Sequence, residues 1–219
     1  MARLKQWLGA TPDKVGRLFV VSAPSGTGKT SLVKAVLEHD PSTRMSVSFT
    51  TRPMRPAERE GQDYFFVDQA RFQQLQAAGE MLESAEVFGN FYGTGKGQVD
   101  ALLNAGHNVI LEIDWQGAQQ VRKAAPECKS IFILPPSCSE LERRLRNRKT
   151  DSDEVIARRL GESVADMGHW AEFDYVVVND DFNQARDALS AIIGGGAEQY
   201  ASTAPNARAV AQGIVNGAD

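Results

Sequence analysis

Four short apolar runs constrain this chain most: "RLFVVSA" at 17–23, "NVILEID" at 108–114, "SIFILPP" at 130–136 and "DYVVVND" at 174–180. Each is continuously apolar and rich in branched side chains, the pattern of strands buried on both faces. Between and after them lie stretches with apolar residues at helical spacing: "TSLVKAVLEH", "GAQQVRKAA", "SELERRLRNRK", "DEVIARRLGESVADMGHW" and "FNQARDALSAII". Strands alternating with helices form βαβ units, so an α/β fold with a parallel sheet flanked by helices is expected. Ligands of such sheets bind at the carboxyl ends of the strands. The glycine-rich stretch after Ala23, Asp114 and Asn179 all fall there. Residues 46–97 break the alternation, with short strands in "SVSFT", "DYFFV" and "AEVF", a helix around "QARFQQLQAA" and a Gly89-Asn90 turn. They read as a small, partly antiparallel insertion. Beyond Ile193 large apolar residues thin out, and the remainder reads as a loosely held tail with some helix.

The first run opens into Ala23-Pro24-Ser25-Gly26-Thr27-Gly28-Lys29-Thr30, close to the phosphate-loop pattern G-x-x-x-x-G-K-[ST] with Ala23 at its first position. A glycine-rich turn between strand and helix aims successive backbone N–H groups at an anion, and the helix adds the positive end of its dipole. The tight bends fall at Gly26 and Gly28, so Ala23 alters the pattern more than the mechanism. Lys29 is expected on the β/γ-phosphates of a nucleoside triphosphate, and Thr30 on Mg2+. Asp114 ends a buried strand, where a second carboxylate of a phosphate-loop protein orients the metal or its water; capping of the next helix is the plainer alternative. Glu112, two residues earlier, points the same way.

A net charge of -4 over 219 residues argues against nucleic acid as the main partner. No apolar run approaches the ~18 residues of a membrane span, and "MARLKQWLGATPDKVGR" carries no apolar secretion segment. Cys128 and Cys138 form no disulfide framework, and neither they nor His39, His107 and His169 have metal-ligand spacing. A cytoplasmic protein of one domain is the expectation.

In "SVSFTTRPMRPAEREGQDYFF", Arg52, Arg55 and Tyr64 offer two guanidinium forks and a phenol, a set suited to one phosphate group. With these residues the chain resembles the guanylate kinases, ATP:GMP phosphotransferases. The resemblance is carried by "SAPSGTGKTS", "SVSFTTRPMRPAEREGQDYFFV", "AEVFGNFYGT", "LEIDWQGAQQV", "FILPPS" and "VVVNDDF", in the family's order. It covers residues 16–196, leaving 1–15 and 197–219 as extensions. It implies a P-loop NTPase-type sheet, an inserted GMP-binding subdomain at about 46–97 and a helical lid at about 139–160. That family has Ala or Gly at the position of Ala23. The resemblance assigns Arg52, Arg55, Tyr64 and Tyr92 to the GMP phosphate and Ser48, Glu83 and Thr94 to the guanine. Glu112 is placed near the nucleotide, in a role left open, and Asn179 on adenine. Guanine's N1–H and N2 amino group are adjacent donors that a carboxylate matches; on residues alone, Glu83 in "EMLESAEVF" reads as a surface helix-end charge.

Arg144 and Arg148 stand at i, i+4 on one helical pattern, and Asp151 with Glu154 has capping-box spacing for the next, which holds Arg159. Alone this is an amphipathic, solvated helix; by resemblance Arg144, Arg148 and Arg159 are lid arginines closing over the transferring phosphoryl group. Lys149 stands where many relatives have glycine. The implied reaction is ATP + GMP ⇌ ADP + GDP with Mg2+, with dGMP as a second acceptor. Guanylate kinase-like binding modules of scaffold proteins lack a working phosphate loop, whereas Gly28-Lys29-Thr30 is intact here.

Overall fold

The computed structural model describes residues 15–87, 89–147 and 152–217. They divide into two compact units, one from residues up to Val20 with Ser42–Cys128, the other from Val21–Pro41 with residues from Lys129 onward. Strand β1 (Leu18–Ser22) runs through that division with every residue buried, as its unbroken apolar run requires. Helix α1 (Lys29–His39) follows in the second unit and buries Leu32, Val33 and Val36.

The first unit continues with β2 (Thr43–Met45), β3 (Phe49–Thr50), β4 (Phe65–Phe66), α2 (Gln69–Ala77), β5 (Met81–Val87), β6 (Asn90–Gly95), α3 (Lys96–Asn104), β7 (Asn108–Glu112) and α4 (Trp115–Ala124). Two-stranded pairing of β2 with β7 is parallel, from Thr43↔Asn108 to Met45↔Ile110. A separate sheet has the order β4-β3-β6-β5. There β3 and β4 are parallel while β6 is antiparallel to both β3 and β5. The expected partly antiparallel stretch is therefore a sheet of its own. "SVSFT" is not one strand, however: β2 ends before Ser46, and Gln98 accepts both the Ser46 hydroxyl (2.9 Å) and the Val47 amide (2.8 Å).

The second unit holds β8 (Lys129–Leu134), α5 (Cys138–Asn147), α6 (Asp153–Met167), β9 (Tyr175–Val178), α7 (Phe182–Gly194) and α8 (Pro205–Val215). Strands β8 and β9 are parallel from Ile131↔Tyr175 to Leu134↔Val178. The four apolar runs, with β2 added, make one sheet of order β2-β7-β1-β8-β9. The start of α6 is capped by Ser152, whose hydroxyl accepts the Val155 amide; Asp151 of the expected capping box lies outside the described residues. The segment after Ile193 is docked rather than loose. Ala201 bridges Tyr175, the Ser202 amide donates to the Asp174 carbonyl at 2.9 Å, and α8 buries Ala211 and Ile214. Small residues suffice because they meet a strand backbone and need little side-chain reach.

Candidate active site

In the second unit, β1 gives way at Ala23 to a loop that ends on Gly28, the residue preceding α1. Gly26 and Gly28 have φ of 91° and 95°, in the left-handed region that side chains disfavour. Close packing adds to this: a Cβ on Gly26 would lie 2.9 Å from Leu145 Cδ2, and one on Gly28 2.7 Å from Asn179 Nδ2. Helix α1 has no side-chain cap, and its N-terminus carries the positive end of the helix dipole, which favours an anion.

Four side chains hold this loop. Asn179, 4% exposed, donates from Nδ2 to the Thr27 carbonyl at 2.7 Å. Arg144 donates from Nη1 to that carbonyl at 3.3 Å and from Nη2 to the Asn179 carbonyl at 3.0 Å. Arg159 donates to the Ser25 hydroxyl at 2.8 Å, while Ser163, which the sequence reading did not single out, donates to the Ser25 carbonyl at 3.2 Å. Glu140 accepts from Arg143 (2.6 and 2.7 Å) and Arg144 (2.7 Å). The Arg143 bonds foremost, then those of Arg144, hold its carboxyl down at about 2. Pro136, Ser137, Ser139, Glu140, Arg143 and Asp180 line a cleft of about 430 Å³ beside these groups. Arg148 and Lys149 lie outside the described residues.

In the first unit two clusters form. Successive residues of β6 point to opposite faces. Phe91 stacks on the buried Phe72 at 5.5 Å, whereas Tyr92 meets the Tyr64 ring edge-on at 5.9 Å. The guanidinium of Arg52 sits 5.5 Å over the Tyr64 ring and is bonded to Glu58 at 2.7 and 3.1 Å. Burial foremost, then the neighbouring Tyr92 and Glu112, raises the Tyr64 phenol above its ordinary range. Arg55 is exposed on the same loop, and half-buried Ser48 leads into β3 with its carbonyl accepting the Phe65 amide.

The second cluster centres on Glu83, which is in β5 and not at a helix end. It is 5% exposed and pairs with fully buried Thr94 across the β5–β6 register, Thr94 donating to Oε1 at 2.7 Å. Burial drives its pKa up to about 7; the Thr94 bond opposes that shift and the charge of Asp114 adds to it. Gln120 clamps β5 to α4 by bonding the Ser84 amide and carbonyl at 3.1 and 2.8 Å. Gly117 completes the wall, since a Cβ there would lie 2.7 Å from Glu83 Oε2. Asp114 caps α4, its Oδ1 accepting the Gly117 amide at 2.7 Å. Glu112, half-buried, ends β7. Among the described residues no three His, Cys, Asp or Glu side chains group as a metal site, and no helix is long and apolar enough to cross a membrane.

Comparison with known proteins gives a consistent result. The guanylate kinase family model matches residues 15–195. The guanylate kinase of Alkalilimnicola ehrlichii is 59% identical over 177 residues, 81% of this chain and 87% of that protein. That of Escherichia coli O157:H7 is 53% identical over 180 residues, with coverages of 81% and 87%. The crystal structure of guanylate kinase from Anaplasma phagocytophilum superposes with a TM-score of 0.70 at 36% identity, covering 85% of this chain and 88% of that one. The chain belongs to the guanylate kinase family, the ATP-dependent kinases of GMP.

Proposed function

We propose that this protein transfers the γ-phosphoryl group of ATP to GMP, and to dGMP, giving ADP and the diphosphate. The observation that carries the acceptor's identity is Glu83. A buried carboxylate already held by Thr94 offers acceptors to the adjacent N1–H and N2 donors of guanine, whereas adenine would set a lone pair against it. Arg52, Arg55, Tyr64 and Tyr92 receive the GMP phosphate, with Ser48 beside the base and Glu112 near the nucleotide. Positioning and electrostatics do the remaining work. The acceptor phosphate oxygen attacks the γ-phosphorus, the bond to the β-phosphate oxygen breaks, and no covalent enzyme intermediate is needed.

Backbone N–H groups of the Ala23–Thr30 loop and the Lys29 ammonium hold the triphosphate, and the cleft of about 430 Å³ lined by Pro136, Glu140 and Asp180 takes the adenine. Asn179, whose Nδ2 donates to the Thr27 carbonyl, contacts the adenine. Helices α5 and α6, about residues 139–160, serve as a lid in which Arg144, Arg148 and Arg159 offset charge on the transferring group. Thr30 and Asp114 supply hard oxygen donors in small number, which fits Mg2+ bound mainly through substrate phosphates. Thr30 would hold the ion and Asp114, with Oδ1 on the Gly117 amide, would offer its other oxygen to the ion or its water. The ion supplies neutralisation of phosphate charge. We place this activity in the cytoplasm.

In a coupled assay, ATP and GMP should yield ADP and GDP, and Lys29→Ala should abolish transfer while the variant remains folded and binds GMP. Turnover by Lys29→Ala at the wild-type rate would refute the assignment of ATP to this loop.

A further inference from the structure

Glu58 was not singled out from the sequence, yet its carboxylate organises the whole acceptor loop. Oε1 accepts Arg52 Nη2 at 2.7 Å, and Oε2 accepts both Arg52 Nη1 at 3.1 Å and the Arg55 amide at 2.8 Å. The Glu58 amide in turn donates to the Arg55 carbonyl at 3.0 Å, closing the turn on itself. Arg52 Nη1 also donates to the Pro53 carbonyl at 2.7 Å. Both side chains of the pair are about 15% exposed, at 14% and 15%. We propose that Glu58 is a positioning residue for the acceptor phosphate, fixing the Arg52 guanidinium and the Arg55 backbone in their phosphate-binding arrangement before GMP arrives. This rests on the reading of Arg52 and Arg55 as ligands of that phosphate.

A carboxylate beside two arginines has two possible effects of opposite sign. It could compete with the phosphate for the guanidinium, or hold the guanidinium in place at the cost of some positive charge. The geometry decides for the second. A guanidinium carries five N–H donors, and Glu58 with Pro53 engages Nη1 and one N–H of Nη2. The edge formed by Nε and the other Nη2 hydrogen is a complete bidentate face for a phosphate. Tyr92 lies within electrostatic reach of the same guanidinium, so a proposed phosphate ligand already lies beside Arg52. Nor can Glu58 withdraw cheaply, because Oε2 would abandon the Arg55 amide together with the fork. An arginine side chain loses considerable rotamer freedom on being ordered; here the Glu58 fork, the Pro53 carbonyl and the rings of Tyr64 and Phe66 at 5.5 and 5.9 Å remove that freedom in advance.

The test is steady-state kinetics and calorimetry on the full chain with Glu58→Gln and Glu58→Ala. Both variants should raise KM for GMP on the order of tenfold, with KM for ATP within about twofold of wild type. Guanosine, which has no phosphate, should bind the variants as it binds wild type. On an Arg52→Ala background, which itself raises KM for GMP, Glu58→Ala should add little, since it acts through that arginine. A lower KM for GMP in Glu58→Gln would overturn the proposal in favour of competition. Equal losses for GMP and guanosine would overturn it in favour of a general structural role. Unchanged KM in the Glu58 variants beside a raised KM in Arg52→Ala would refute Glu58's role alone. An unaffected Arg52→Ala would instead refute the acceptor-site reading beneath it.

Discussion

Lowering the pH from 8 to 6 should weaken binding of guanosine about tenfold, through Glu83 alone. Guanine presents two donors to this carboxylate, so the ionised form binds it and the protonated form sets an O–H donor against another donor. Burial raises Glu83 to about 7 in the ligand-free protein. The binding-competent fraction is then about 0.9 at pH 8 and about 0.1 at pH 6, and the apparent affinity scales with that fraction. Guanosine is the probe because it has no phosphate to titrate in the same range. The assay is its inhibition constant against GMP at pH 6, 7 and 8, in wild type and in Glu83→Gln, which has no proton to lose. Stability of the ligand-free protein should move the opposite way. The folded pKa lies above the ordinary 4.5, so the folded state binds the extra proton. Glu83's contribution is fully present below about 4.5 and is lost as pH rises through 7, at most about 3 kcal/mol. Glu83→Gln should remove both dependences. A wild-type inhibition constant that is flat from pH 6 to 8, or that varies identically in Glu83→Gln, would refute the argument.

Two further substitutions probe the packing. Glycine to alanine inside a helix usually gains up to about 1 kcal/mol, but a Cβ on Gly117 would stand 2.7 Å from Glu83 Oε2. Gly117→Ala should therefore raise KM for GMP by roughly tenfold, the loss of about one charge-assisted hydrogen bond, with kcat changed less; an unchanged KM would remove Gly117 from base recognition. Thr27 is fully buried and its hydroxyl has no hydrogen-bond partner among the described residues. Thr27→Val should stabilise by about 1 kcal/mol, raising Tm by about 3 °C; a lower Tm would mean that the hydroxyl is satisfied in solution.

The strands that build the central sheet were legible because burial on both faces leaves no polar position in the run, and β1, β7, β8 and β9 all sit in the expected segments. Strand β2 escaped notice because three residues at a sheet edge, with Arg44 exposed, have no apolar pattern to show. The phosphate loop was legible because only glycine meets both the positive φ and the tight approach of Asn179 and Leu145. The Glu83–Thr94 pair was not readable from residue types. It arises from antiparallel register between β5 and β6, with an irregularity between Met81 and Glu83, and one residue of slip would turn Glu83 to the other face. Only the resemblance pointed to it. Glu58, Gly117 and Ser163 act through a loop closure, a missing Cβ and a single hydroxyl, and none leaves a periodic trace in the sequence.

Glu83 is proposed to make GMP the acceptor of this ATP-dependent kinase. The most direct measurement is kcat/KM with ATP for GMP and AMP, in wild type and in Glu83→Gln. Wild type should prefer GMP by about 10⁴-fold or more, as expected where a mismatched base leaves buried polar groups unpaired, and that preference should collapse by at least about tenfold in the variant. A GMP/AMP ratio that Glu83→Gln leaves unchanged would contradict it.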